Sequence, residues 1–205
     1  GVGGGGGGAD SIDEVVVVTS DLARDDVIVE ACQRRGWLVG RGSEDDVMSR
    51  FHKVAGERAA DLIVRVTSDC PLIDNQGVDA VVQKLLEKGA DYGANIVEPR
   101  TWPRGLDVEV FTRDALERAF REDMDPASRE HVTPYLRNSP EQFRVEGVYC
   151  ERDLSGHGWT VDEEADLQLA RRIFEHASGD PGGWEQILGV VEAHPSWREL
   201  NAHVE

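Results

Sequence analysis

The sequence predicts an α/β chain built on a doubly wound, mostly parallel sheet. Three observations carry this. Short apolar runs of strand length alternate with stretches of helical periodicity along most of the chain, the pattern of strand–helix–strand units. The first such run, Val15-Val16-Val17-Val18, is apolar on both faces, as strands covered by helices on each side are. Two aspartates, Asp69 and Asp162, each follow an apolar run directly, at the strand ends where open α/β sheets hold ligands.

In order, residues 14–19 read as a buried strand and residues 23–35 as a helix, with Asp25 and Asp26 at its positive N-terminal end. Residues 37–40 form a short strand. Residues 44–55 form a helix capped by Ser43, with Asp46 as its capping-box partner. Residues 62–66 are the next buried strand, ended by Pro71, which cannot continue a ladder. Residues 75–88 are a helix that Asp74 caps and Gly89 closes. Strands over 92–95 and 106–111, helices over 114–120 and 127–137, and strands over 142–149 and 160–161 follow. The chain then ends in helices over 163–176, 184–193 and 196–203. Residues 1–8 are glycine except Val2. Glycine loses too much backbone entropy to specify a strand or helix there, so this run reads as a linker or cloning remnant. The expected division is a linker over 1–8, one domain over 9–177 and a helical tail over 178–205, with no internal repeat.

The chain carries 40 acids against 22 Lys and Arg, for a net charge of −18. That excludes a polymeric nucleic acid partner, which needs a basic footprint. A small anionic ligand then needs local help from metal and arginine. Only Lys53, Lys84 and Lys88 are lysines, so arginine dominates the bases. The three cysteines, Cys32, Cys70 and Cys150, have neither disulfide-framework nor metal spacing. No run is long enough to span a bilayer and no secretory signal is evident. A cytoplasmic protein is the expectation.

Several side chains are candidates for chemistry. A carboxylate such as Asp69, pointing into a crevice at a strand end, suits a divalent metal that carries phosphates; the competing reading is a turn cap. Asp162 holds the same position between a strand and a helix. Asp107 and Glu109 share one face of their strand, opposite Leu106, Val108 and Val110, and that face is either solvated or turned to a substrate. The tight turn Pro103-Arg104-Gly105 presents Arg104 to a carboxylate, which arginine binds through two parallel hydrogen bonds. Arg65 ends an apolar strand and needs an acid partner. Arg129 and His131 lie on one helix; His131 is a general base, a phosphate ligand or a structural histidine. Arg41 and Ser43 follow the second strand.

These residues fall in segments that resemble a known family. Arg65-Val66-Thr67-Ser68-Asp69-Cys70-Pro71-Leu72-Ile73-Asp74 and Gly158-Trp159-Thr160-Val161-Asp162 are similar to the paired metal-aspartate motifs of sugar-acid cytidylyltransferases. Arg41-Gly42-Ser43-Glu44-Asp45-Asp46-Val47, Trp102-Pro103-Arg104-Gly105-Leu106-Asp107-Val108-Glu109-Val110-Phe111 and Arg129-Glu130-His131-Val132-Thr133-Pro134-Tyr135 resemble the spore-coat-polysaccharide branch, as do His194-Pro195 and Asn201-Ala202-His203. The likeness runs from Ser11 onward. It implies a nucleotide-diphospho-sugar transferase fold that joins cytidine monophosphate from CTP to a sialic- or Kdo-like sugar acid. It further implies Mg²⁺ on Asp69 and Asp162, the cytosine beside Arg41 and Ser43, the acceptor near Arg104, Asp107, Glu109 and Arg129, and His131 as a candidate base. In related proteins such a tail packs on the domain or on a partner, and a homodimer is a further expectation. The family also has an N-terminal strand and a glycine- and basic-rich phosphate loop that nothing in this sequence matches, and residues 1–8 are not expected to replace them. Two rival readings are a glycosyltransferase, though Asp69-Cys70-Pro71 lacks the Asp-x-Asp turn, and a non-catalytic domain that binds a partner.

Overall fold

The computed structural model describes residues 9–198 and 200. Strands β1 (Val16–Ser20) and β2 (Leu38–Gly42) pair in parallel. A four-stranded sheet runs in the order β3 (Leu62–Arg65), β5 (Glu109–Thr112), β4 (Tyr92–Ala94), β6 (Val145–Gly147). β4 and β6 are parallel, and β5 runs antiparallel to both β3 and β4. So β3, β4 and β6 share one direction and β5 alone is reversed. The connection from β4 to β5 contains no helix, and without a helical crossover the chain returns antiparallel. Among the described residues, β1 and β3 each have a ladder partner on one side only. The valines of β1 are accordingly half-buried rather than sealed.

Helices cover both faces of the larger sheet. On one face, α3 (Asn75–Lys88) sets Val81, Val82 and Leu85 against Val108 and Val110. On the other, α2 (Val47–Glu57), α4 (Arg113–Glu122) and α6 (Pro134–Arg137) place Met48, Leu116 and Leu136 around Tyr92 and Phe111. This corrects one expectation. The face that carries Glu109 and Phe111 is not solvated: Glu109 is 3% exposed and Phe111 fully buried. Alternation fixes which residues share a face, and the packed helices decide that this face is interior.

A third cluster joins the segments that carry the candidate site. Leu72, Trp102, Leu106 and Trp159 pack against Leu169 and Ile173 of α7 (Glu164–His176) and Ile187 and Val191 of α8 (Trp184–Ala193). Fully burying an aliphatic side chain such as Ile187 or Val191 contributes roughly 1.5–3 kcal/mol. The tail therefore packs on its own domain, followed by the short α9 (Pro195–Arg198).

Most elements lie where the sequence places them, with local corrections. The predicted helix over 23–35 divides into a 3-10 turn, Ala23–Asp25, and α1, Asp26–Arg35. α2 starts at Val47 because Asp46 takes the N-cap, its carboxylate accepting the Ser49 N–H at 3.0 Å. Ser43 instead accepts the Asp46 N–H at 3.1 Å in the preceding turn. The predicted helix over 127–137 breaks into α5 (Pro126–His131) and α6, because Pro134 has no N–H to continue the ladder. Residues 160–161 join no strand; the nearest pairing is an isolated parallel bridge, Arg104 with Gly158. The expectations for residues 1–8, and for the end of the last helix beyond Arg198, lie outside the described residues. Among those described, no helix is long and apolar enough to cross a membrane.

Candidate active site

The segments that carry the two aspartates meet through the backbone. Asp69 stands in the turn after β3, where the Cys70 N–H bonds the Thr67 carbonyl at 3.2 Å. The Asp69 carbonyl accepts the Val161 N–H at 2.8 Å, so the residue beside Asp162 is hydrogen-bonded to Asp69 itself. The Asp162 backbone is fixed in turn by Asp166, whose carboxylate accepts the N–H groups of Asp162 at 3.1 Å and Glu163 at 2.9 Å. Asp166 is 3% exposed. Its place at N3 of α7 is the sequence signal that it also holds the chain before the helix.

Arg104 is joined to the segment before Asp162 through backbone pairing. Its N–H donates to the His157 carbonyl at 3.0 Å, and its carbonyl accepts from Trp159 at 2.7 Å. Gly105 makes this approach possible. It has φ +97°, and a Cβ there would lie 2.4 Å from the Trp159 carbonyl carbon. Only glycine adopts this conformation freely and leaves room for the facing backbone. The Arg104 guanidinium is exposed and has no hydrogen-bond partner among the described residues.

Asp107 lies beside the Asp69 turn, within electrostatic reach of Cys70. Burial pushes the Cys70 thiol up to about 11, and the negative charges of Asp69 and Asp107 add to the effect. Asp107 is held in an ion pair by Arg100, which also donates to the carbonyls of Trp102 at 3.0 Å and Pro103 at 2.8 Å. Arg100 thus braces the turn that carries Arg104. Sequence reasoning missed it, and the available signal was a half-buried acid, Asp107, in want of a cation.

Other candidates are placed differently. Glu109 lies within the domain and accepts from Tyr92, Thr133 and Arg65. Its carboxylate is spent on the scaffold, which corrects the expectation of direct substrate contact. It is also the acid partner that Arg65 needed. Burial and the neighbouring Glu109 push the Tyr92 phenol far above its usual range. Arg129 is likewise engaged. It pairs with Asp46 at 2.7 Å, donates to the carbonyls of Phe120 at 3.0 Å and Asp123 at 2.9 Å, and lies over the Phe120 ring. It locks α5 to α2 and α4 and has little left for a substrate. Arg41 spends its guanidinium on the carbonyls of Ser20 and Leu22, each at 2.9 Å, and on Asp26 at 2.8 Å, which ties β2 to the connection after β1. The Ser43 hydroxyl accepts from Asp46 and keeps its own proton to donate. His131 is exposed at the end of α5, and its ring makes no hydrogen bond among the described residues.

The donor set fits Mg²⁺. Among the described residues no group of three or more His, Cys, Asp or Glu forms a cage for an ion. Mg²⁺ needs none, since it is commonly held by one or two carboxylates together with substrate phosphates. Asp69 and Asp162 flank the Asp69–Val161 backbone hydrogen bond and are the two carboxylates that would be offered to such an ion. Asp74 does the work of a double cap instead. Its carboxylate accepts the Gly77 N–H at 2.8 Å and the Trp184 N–H at 3.0 Å, fixing the starts of α3 and α8.

The turn after β3, the Arg104 turn and the segment before Asp162, joined by backbone hydrogen bonds beside a mostly parallel α/β sheet, form the frame of a nucleotidyltransferase-type domain. The cytidylyltransferase family model matches residues 8–176, and the chain belongs to that family, whose members are CTP-dependent nucleotidyltransferases. An uncharacterised protein of Methanocaldococcus jannaschii is 34% identical over 195 residues, which cover 94% of this chain and 79% of the relative. The spore coat polysaccharide biosynthesis protein SpsF of Bacillus subtilis is 30% identical over 187 residues, covering 89% and 76%. A solved cytidylyltransferase from Leptospira borgpetersenii superposes with a TM-score of 0.84 at 31% identity, over 89% of this chain and 77% of that one. The CMP-2-keto-3-deoxy-manno-octonic acid synthetase, solved with CTP, superposes with a TM-score of 0.56 at 17% identity over 82% and 83%, a likeness of fold.

Proposed function

We propose that this site transfers CMP from CTP to a hydroxyl of an acidic sugar and releases pyrophosphate, in the biosynthesis of a surface polysaccharide. The observation that carries the reading is the junction of three segments: the Asp69 turn, the Arg104 turn and the stretch leading to Asp162 meet through backbone hydrogen bonds. The family membership supports the nucleotide, and the name of the Bacillus subtilis relative supports the polysaccharide context.

Each residue has an assigned part. Asp69 and Asp162 hold Mg²⁺, which when bound supplies charge neutralisation at the phosphates. Ser43 borders the base and donates its hydroxyl proton to it, while Arg41 keeps that loop in place. Arg104 takes the acceptor's carboxylate through its planar fork. Asp107 and Arg100 set the angle at which Arg104 stands. The acceptor oxygen attacks the α-phosphorus, the bond from that phosphorus to the bridging oxygen breaks, and pyrophosphate leaves. The proton of the acceptor hydroxyl passes to His131. Most of the acceleration comes from alignment of the two reactants rather than from covalent help. The protein acts in the cytoplasm, where CTP is available, and a homodimer is compatible with the reading.

The test is pyrophosphate release measured with CTP, Mg²⁺ and a set of 2-keto sugar acids, each matched with its neutral sugar. Release that requires both CTP and a sugar acid supports the proposal. Equal release with ATP, or with the neutral sugars, contradicts it.

A further inference from the structure

Beside the Asp69 turn lies a polar cluster that these assignments do not use. Its centre is Glu109, 3% exposed, which accepts from the hydroxyls of Tyr92 at 2.8 Å and Thr133, and from Arg65. Arg65 is the last residue of β3 and faces Glu109 directly across the ladder. A buried carboxylate needs a cation and hydrogen bonds, and this one has both. The cation has more to give. Arg65 uses a terminal nitrogen on Glu109, and its other nitrogens have no hydrogen-bond partner among the described residues. Nor are they sealed: among those residues, the only buried side-chain N or O atom without a partner is Nε of Arg50. The Arg65 side chain remains 17% exposed.

The donors lie next to the Asp69 turn in the fold: Arg65 is the last residue of β3, that turn follows it directly, and the charge of Asp107, two residues before the ladder partner Glu109, reaches Cys70 within the turn. A second observation converges on the same carboxylate. Val132 is fully buried, with φ 70° and ψ −50°, and the Thr133 N–H closes onto the His131 carbonyl at 2.8 Å. This is a γ-turn of the strained hand, and it is held by a β-branched residue, for which positive φ is an outlier. Such strain persists only where the surroundings enforce it, and it concentrates at ligand clamps. Here the next residue, Thr133, is tied to Glu109 through its hydroxyl.

We infer that Arg65, oriented by Glu109, is a substrate-binding residue whose open donors take an oxyanion of the bound reactants beside the Asp69 turn. The inference rests on the proposed function in that both reactants, the nucleotide triphosphate and the acidic sugar, carry oxyanions. A scaffold-only Arg65 needs no more than a positive charge beside Glu109, which lysine supplies. A substrate-binding Arg65 needs the fork.

The experiment compares the wild type with Arg65→Lys and Glu109→Gln. Melting temperature, calorimetric titration with Mg·CTP, and kinetics of pyrophosphate release with 2-keto-3-deoxy-manno-octonic acid are measured for each. The expectation for Arg65→Lys is a melting temperature close to wild type with a drop of about 100-fold in one substrate term, the loss of a charge-assisted two-point contact. Weakened Mg·CTP binding assigns the oxyanion to a phosphate. A raised acceptor KM with intact CTP binding assigns it to the sugar carboxylate. Glu109→Gln is expected to give a smaller loss in the same term. Arg65→Lys with wild-type values for both substrates overturns the inference and leaves the proposed function standing. If the wild type releases no pyrophosphate, the proposed function fails, and titration with inorganic pyrophosphate and with 2-keto-3-deoxy-manno-octonic acid then decides the inference: Arg65-dependent binding of either upholds it and the absence of both overturns it.

Discussion

Replacing Gly105 by alanine puts the geometry of the site to a quantitative test. A Cβ at this position would stand 2.4 Å from the Trp159 carbonyl carbon, 2.5 Å from the Thr160 nitrogen and 2.6 Å from the Trp159 oxygen. All three are backbone atoms and cannot rotate away. Comfortable carbon contacts begin at about 3.5 Å, so the facing chain must retreat by roughly 1 Å. The residue also keeps φ +97°, at a cost of about 1–3 kcal/mol for a residue with a side chain. Retreat stretches the 2.7 Å bond from Trp159 to Arg104 and the 2.8 Å bond from Val161 to Asp69, the two links that join the site. Gly105→Ala is therefore expected to lose about 1–3 kcal/mol of stability in urea unfolding. A misplacement of this size is expected to lower kcat/KM by about 100-fold, more than the loss of folded protein explains. A variant within about 0.5 kcal/mol of wild type and with unchanged turnover would refute the argument that this close approach builds the site.

Three further outcomes follow from particular contacts. Asp74→Ala removes the cap of α3 and the acceptor at the start of α8; each cap is worth about 1 kcal/mol, so urea unfolding should show a loss near about 2 kcal/mol, and an unchanged midpoint would mean that the tail docks without it. Cys70 should resist iodoacetamide at pH 8 while half-buried Cys150 reacts first. Burial raises the Cys70 pKa from 9.0 to about 11, so the stability gained by keeping the thiol neutral is intact below the ordinary value and declines as the pH rises through about 11; rapid labelling of Cys70 at pH 8 would contradict its placement. Arg104→Met should leave the melting temperature unchanged, because the side chain has no partner within the protein, and should raise the acceptor KM roughly 10–100-fold through loss of a charged hydrogen bond worth about 1.5–3 kcal/mol; a KM change for CTP alone would move Arg104 to the nucleotide.

The parts legible in the sequence were those fixed by local signals. α3 has the predicted bounds because Asp74 and Gly89 mark both ends chemically, and Gly89 adopts φ 57° as a helix-closing glycine does. The need of Arg65 for an acid followed from its position at the end of an apolar run, and Glu109 supplies it across the strand pair. The Asp69 turn and the segment before Asp162 are joined by one backbone hydrogen bond, although the strand expected over 160–161 does not form. What did not follow depends on long-range packing. Alternation put Asp107 and Glu109 on one face, but only the helices packed there separate a site residue from a buried one. Arg41 and Arg129 looked available because nothing local showed the carbonyls and carboxylates that occupy them. The split of the helix over 127–137 was marked by Pro134, and the strained turn at Val132 was not, since valine is the last residue expected at positive φ.

The central claim is that Asp69 and Asp162 act as one metal-binding pair, and a crystal structure of the protein with CTP and Mg²⁺ tests it most directly. The account predicts one ion bound by both carboxylates and by the phosphates, at Mg–O distances of about 2.0–2.1 Å, with the base beside Ser43. Soaking Asp69→Ala or Asp162→Ala crystals should leave the fold intact and the ion absent. An ion held elsewhere, or carboxylates of Asp69 and Asp162 turned to opposite faces of the sheet, would contradict the account.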